Sequence, residues 1–251
     1  MKRIALIISN PGERGHENYC EGVEKDVYNY RNYLTSPIGG YWSDIEEIKL
    51  LPKPNLADIK AQLAFIRDHQ YEYSLIIFSG HGEYSESRDS TILELKRGVE
   101  IDSRELRNVT TKETLIIDCC RVVSAFQILE EETVKFAAKA GLRLDPEECR
   151  KYYNRKIEEC ESHMTVAYSC SKGERAIDIG DKGGLYSYNL IREAEKWANS
   201  TVVDTNQYST LSIVSAHEKA ADEVRDFSTG RQNPVIERPR SGKYFPFCII
   251  A

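Results

Sequence analysis

Three short runs of apolar, largely β-branched residues constrain the fold of this chain more than any other feature: Ile4-Ala5-Leu6-Ile7-Ile8, Leu75-Ile76-Ile77-Phe78 and Leu115-Ile116-Ile117. None alternates apolar with polar residues, as a strand with one wet face would. Continuous apolar runs of this length suit strands covered on both faces, the arrangement of a parallel sheet held between layers of helix. Between the first two runs the period changes. Residues 22–34 place Val23, Val27, Tyr30 and Leu34 on one helical face, and Asn55 caps a helix to residue 68 with Leu56, Ile59, Leu63 and Ile66 turned inward. Further strands are expected at 45–51, 164–169 and 244–250, and a helix at 185–198. Residues 211–221 are mixed. Residues 83–112 read as a hairpin or loop followed by a short helix near 103–107. Strands joined by crossover helices predict an α/β domain, with a mostly parallel six-stranded sheet and helices on both faces.

Residues 122–163 break that rhythm. Asp145-Pro146-Glu147-Glu148 is a helix start, with an N-cap, a proline at the first position and acids in the first turn. The bases around it (Lys135, Lys139, Arg143, Arg150, Lys151, Arg155, Lys156) read as a solvated helix surface. The sharper alternative is an exposed linker cut during activation. The formal net charge of −6 argues against nucleic acid as the main partner. No apolar run approaches the roughly 20 residues that span a bilayer, and the apolar stretch at 4–8 is too short for a signal peptide. The seven cysteines form neither a disulfide framework nor a zinc-binding spacing, so a reducing cytoplasm is the expected compartment.

Reactive groups in such sheets gather at the carboxyl ends of the strands. Two strings end there: Phe78-Ser79-Gly80-His81-Gly82 and Ile116-Ile117-Asp118-Cys119-Cys120-Arg121. A thiol needs an adjacent base to act as a nucleophile at neutral pH, and an imidazole on a neighbouring strand end supplies one. His81 is therefore the candidate base. The backbone amides of Gly82 and Cys120 are the candidate oxyanion donors. His16, His69, His163 and His217 read as surface or structural residues. Successive strand residues face opposite sides, so Asp118 and Cys120 share one side and Cys119 lies on the other. Cys119 continues the apolar strand, which leaves Cys120 as the nucleophile. On the strand pattern alone, both could equally be buried structural thiols; the His81 string favours chemistry.

Ser79-Gly80-His81-Gly82, followed about 40 residues later by Asp118-Cys119-Cys120-Arg121, resembles the caspase and metacaspase family of cysteine peptidases. The metacaspase branch has Asp-Ser-Cys where this chain has Asp118-Cys119-Cys120; the glycine that usually follows is absent, with Val122 in its place. Other strings resemble the family more loosely: Gly22-Val23-Glu24-Lys25-Asp26-Val27, Ala167-Tyr168-Ser169-Cys170-Ser171, Ala176-Ile177-Asp178, Gly183-Gly184-Leu185-Tyr186-Ser187 and Phe245-Pro246-Phe247. The resemblance implies a caspase-like fold and one peptidase domain over 1–251. Within it, 1–121 would be a large-subunit-like part, 122–163 a helical linker insertion and 164–251 a small-subunit-like part. It also implies that Asp118 and Asp178 line the primary specificity pocket. A recessed carboxylate pair binds a guanidinium and repels an acid, so cleavage after Arg, or Lys, is expected rather than after Asp. For Asp178 the plainer reading is a turn residue before Gly180 and Asp181.

The implied partner is a protein or peptide with a basic residue before the scissile bond, with control by a separate activating protein or by proteolysis. For similar bacterial proteins the setting is defence or cell death. No cofactor is expected; calcium, used by some metacaspases, stays open, although no EF-hand-type loop is present. Rival readings are a catalytically idle caspase-like interaction module, a clostripain-like peptidase, and a doubly wound ligand-binding or phosphotransfer domain in which Asp118 is the functional residue.

Overall fold

The computed structural model describes residues 1–122, 144–201 and 208–251. In chain order its elements are β1 (Arg3–Asn10), α1 (Glu21–Thr35), β2 (Ile48–Pro52), α2 (Leu56–Asp68), β3 (Tyr73–Gly80), β4 (Gly82–Ser85), β5 (Ser90–Lys96), β6 (Val99–Asp102), β7 (Lys112–Asp118), α3 (Pro146–Glu158), β8 (Met164–Tyr168), α4 (Leu185–Ser200), β9 (Ser209–Ser212), α5 (Ile213–Phe227), β10 (Val235–Glu237) and β11 (Pro246–Ile250). A six-stranded sheet runs β10-β8-β7-β3-β1-β2. Five strands are parallel and β10 is antiparallel at one edge.

The apolar runs behave as their composition requires. Every residue of β1 is buried, and alternate residues feed two separate cores. Ala5, Ile7, Leu75, Ile77 and Ile116 pack toward α1, α3, α4 and α5. Ile4, Leu6, Ile8, Ile76, Phe78, Leu115 and Ile117 pack toward α2 and the β5–β6 hairpin. Asp145 caps α3 as its sequence predicts, accepting from the Glu147 and Glu148 amides at 2.9 and 3.2 Å. The linker bases Lys135, Lys139 and Arg143 lie outside the described residues.

Two elements differ from the sequence expectation. The sixth strand of the main sheet is β10, not the C-terminal run. β11 pairs with β9 in a separate two-stranded sheet, where it is wholly buried against helices, whereas β10 alternates exposed and half-buried residues as an edge permits. The second strand begins at Ile48 rather than residue 45. Residues 44–47 form a turn, closed by the Glu47 amide on the Ser43 carbonyl at 2.9 Å, and Ile45 is left 83% exposed. The stretch after β3 follows the expectation of a hairpin and then a short helix: it is a three-stranded antiparallel sheet, β4-β5-β6, followed by a single 3-10 turn at Ser103–Leu106.

Candidate active site

The β3–β7 register pairs Ser79 with Asp118. Two residues beyond each, at the carboxyl ends of adjacent parallel strands, stand His81 and Cys120. Both line one cavity of about 660 Å³. The Glu94 amide donates to the His81 carbonyl at 3.0 Å, which makes Gly82 and Leu93 the non-hydrogen-bonded pair of the β4–β5 ladder. The Gly82 N–H therefore points out of that ladder, and Gly82 also lines the cavity.

The two adjacent cysteines have separate environments. Cys119 is 2% exposed and packs in the core on the α2 side. A Cβ on Gly82 would come within 2.6 Å of its sulfur, so Gly82 is the residue that permits this packing. Cys120 is partly exposed, and its thiol donates to the Ala176 carbonyl at 3.7 Å, a long sulfur contact. Burial pushes the Cys120 thiol up, against an opposing effect of the Ala176 contact. At rest it is a protonated thiol, which needs a base to react. The residue after it is anchored. The Arg121 guanidinium lies over the Tyr168 ring at 4.1 Å and donates to Thr91 Oγ1 and the Cys170 carbonyl at 3.0 and 3.1 Å. Its amide donates to the Glu174 carbonyl at 2.8 Å, and its carbonyl accepts from the Gly173 amide at 2.9 Å. The turn at Cys120, the β5 hairpin and the loop leading to Ala176 are thereby fixed to one another.

The imidazole is backed by the loop after β1. Its Nε2 is buried without a hydrogen-bond partner among the described residues and faces Gly12, where a Cβ would come within 2.9 Å. Gly12 also has φ +79°, a conformation L side chains avoid. Gly12→Ala is accordingly expected to displace the ring and lower kcat at least tenfold, with KM changed much less; steady-state kinetics checks it, and an unaltered kcat refutes this account of the ring's support.

The far end of the cavity is acidic. Asp118 is buried; its Oδ2 accepts from the Ser187 Oγ and amide at 2.6 and 3.1 Å. Asp178 also lines the cavity, but its oxygens accept from the Gly22 amide at the start of α1 at 3.1 Å and from the Gly180 amide at 2.8 Å. It is both a cavity carboxylate and the anion at a helix N-terminus. The residue that sequence reasoning did not place in the site is Asp26. It is 1% exposed, lies on the buried face of α1, and lines the cavity beside the other two. Ser79 Oγ donates to it at 2.6 Å and the Gly184 amide at 2.9 Å. A signal was present: Asp26 falls on the helical face of Val23, Val27 and Tyr30, where a charge is out of place unless partnered.

All three carboxyls are held above the ordinary carboxylate range. Burial is the first cause for each, and the charge of Asp118 adds to it for Asp26 and Asp178. Two buried acids and a half-buried third make this part of the cavity acidic, while Arg175 and Arg231 line the same cavity.

An imidazole and a thiol at neighbouring carboxyl ends of a parallel sheet, with an acidic recess alongside, form the kind of site found in cysteine peptidases. The family model described as Caspase domain matches residues 2–246, and the chain belongs to that family of cysteine-type peptidases. No curated protein matches the chain. Among the described residues no cluster of His, Cys, Asp and Glu side chains is arranged to hold a metal ion, and no helix is long and apolar enough to cross a membrane.

Proposed function

We propose that the protein is a cysteine endopeptidase that uses His81 and Cys120 as a dyad and cleaves after Arg, or Lys. The observation that carries this reading is that Asp26, Asp118 and Asp178 line the same cavity as the imidazole and the partly exposed thiol. His81 takes the Cys120 proton as sulfur attacks the scissile carbonyl carbon. The amides of Gly82 and Cys120 donate to the oxyanion. Collapse of the tetrahedral adduct expels the amine, which leaves with the proton from His81. Water, deprotonated by the same imidazole, then hydrolyses the thioester and restores the thiol. The basic side chain before the scissile bond enters the acidic recess and aligns the carbonyl with sulfur.

The test is a fluorogenic peptide panel differing only at the residue before the scissile bond. Arg-ended peptides are expected to be turned over, Lys-ended ones less well, and Asp-ended ones not at all; turnover confined to Asp-ended peptides sinks the specificity, and no turnover of any peptide favours an idle interaction module. Asp26→Asn is expected to cost at least tenfold in kcat/KM for Arg-ended peptides, since it removes one charge from a buried cluster that binds a cation.

The raised carboxyls give a pH signature. A carboxyl whose value in the folded protein lies above its unfolded value stabilises the fold at low pH, and that contribution is lost as pH rises through the folded value. In the empty recess, ionisation is therefore costly, and a guanidinium offsets the cost. Agmatine is expected to raise Tm more at about pH 7 than at about pH 4, where the recess holds more protons. Thermal melts across that interval check it; an agmatine shift independent of pH contradicts the assignment of the recess.

A further inference from the structure

A second cavity, of about 490 Å³, adjoins the first. Glu17 and Asn18 line both cavities. Its inner wall is Gly12, the residue that backs His81 Nε2, and Asn10, whose side-chain amide donates to the Glu94 carbonyl at 2.9 Å. The two recesses share a wall at Glu17 and Asn18, and the second, built by the loop after β1 and by β5, includes the glycine that packs on the His81 ring.

The direction of the chemistry gives that recess a use. The dyad holds the acyl half of the substrate on Cys120, with its basic side chain among the aspartates. The amine half receives its proton from His81 and departs on the imidazole's side. We propose that the second cavity seats the first residues after the scissile bond, and that Glu17 selects a basic side chain among them. This inference rests on the peptidase reading for its direction and adds to it a second, independent specificity.

The charges of the recess decide the preferred occupant. Glu13 is already paired with Lys53 at 3.0 Å, and Glu94 accepts from the Gly98 amide at 3.3 Å. Glu17 is exposed at the shared wall, and no described residue forms an ion pair with it. Arg97 also lines the recess and repels a basic residue that approaches it. A lysine or arginine immediately after the bond meets the Glu17 carboxylate, whereas an acidic residue meets repulsion. Because Glu17 is solvated, the discrimination is modest and salt-sensitive.

The experiment uses internally quenched peptides, identical up to and including an Arg before the bond and followed by either Lys-Lys or Glu-Glu. Lys-Lys is expected to give a kcat/KM about fivefold higher at low salt. Glu17→Lys is expected to abolish or invert that ratio, and Arg97→Glu to enlarge it. Equal ratios in all three proteins overturn the proposal, as does a Glu-Glu preference in the wild type. A second arm needs no catalysis: Cys120→Ala protein is titrated by fluorescence anisotropy with labelled peptides representing only the residues after the bond. Tighter binding of the Lys-Lys peptide, lost in Glu17→Lys/Cys120→Ala, supports the recess; indistinguishable binding overturns it. Failure of Arg-ended peptides to turn over while this binding preference holds would sink the peptidase reading alone.

Discussion

Cys120→Ala is expected to abolish peptide hydrolysis, with a loss on the order of 10⁴-fold or more, while Cys119→Ala keeps activity within about tenfold of wild type. The two residues are neighbours in sequence and chemically identical, so their difference is purely one of placement. Cys120 is partly exposed, lines the cleft with His81, and has a thiol whose partner among the described residues is the Ala176 carbonyl, at a long distance. Cys119 is buried beneath Gly82, and burial, with the nearby Cys170 adding to it, holds its thiol well above the ordinary value. A buried protonated thiol is inert. Replacing Cys119 trims a small apolar group from beneath Gly82, which costs about 1 kcal/mol of stability and some alignment. The decisive measurement couples turnover to labelling by a peptidyl-Arg chloromethyl ketone. One covalent adduct, mapped to Cys120 and absent from Cys120→Ala, is the expected result. Full activity in Cys120→Ala would refute the nucleophile.

Arg3→Ala is expected to be the most destabilising single change outside the site, by about 3–5 kcal/mol. Arg3 is 1% exposed at the start of β1, at the end of the sheet opposite the cleft. Its guanidinium donates to Glu47 at 3.3 Å and to the Gly40 carbonyl at 2.7 Å, and lies over the Trp42 ring at 4.2 Å. Glu47 is also held by Arg150 of α3 at 2.6 and 2.8 Å. The cluster therefore joins β1, the turn before β2 and α3 at one point. Truncation would leave the Gly40 carbonyl without this donor and empty the space beside Trp42. Arg3→Lys is not expected to rescue it, because an ammonium cannot span carboxylate, carbonyl and ring together. For a chain of this size the loss corresponds to a Tm fall of roughly 10 °C. A fall of only one or two degrees would mean that the buried network contributes little. Burial alone would raise the Glu47 carboxyl, but Arg150 and Arg3 more than offset this and hold it below its ordinary range. Its contribution is present above the unfolded carboxylate value and lost as pH falls through the folded one, so the variant and wild type should converge in acid.

The strands and helices were legible because each buries its own apolar residues at its own period. Val23, Val27, Tyr30 and Leu34 mark α1, and the unbroken run at β1 marks a strand covered on both sides. Ile45 misled, because a lone apolar residue beside a strand resembles its first member. The turn that excludes it depends on Glu47, whose side chain is occupied by Arg3 and the distant Arg150. The C-terminal run was recognisable as a buried strand, but its partner was not: apolar character specifies burial, and both a central sheet and a small sheet under helices provide it.

The candidate site divides in the same way. The chain by itself determined that an imidazole and a sulfhydryl stand at strand ends, and that Asp118 shares a side with Cys120, since these follow from local periodicity and glycine placement. Only the tertiary structure decided that Asp26, Asp118 and Asp178 line one cavity and that a second recess shares Glu17 and Asn18 with it. Asp26 and its partner Gly184 are 158 residues apart. Period and propensity orient a side chain relative to its own element; sheet register and helix packing decide which distant groups it meets.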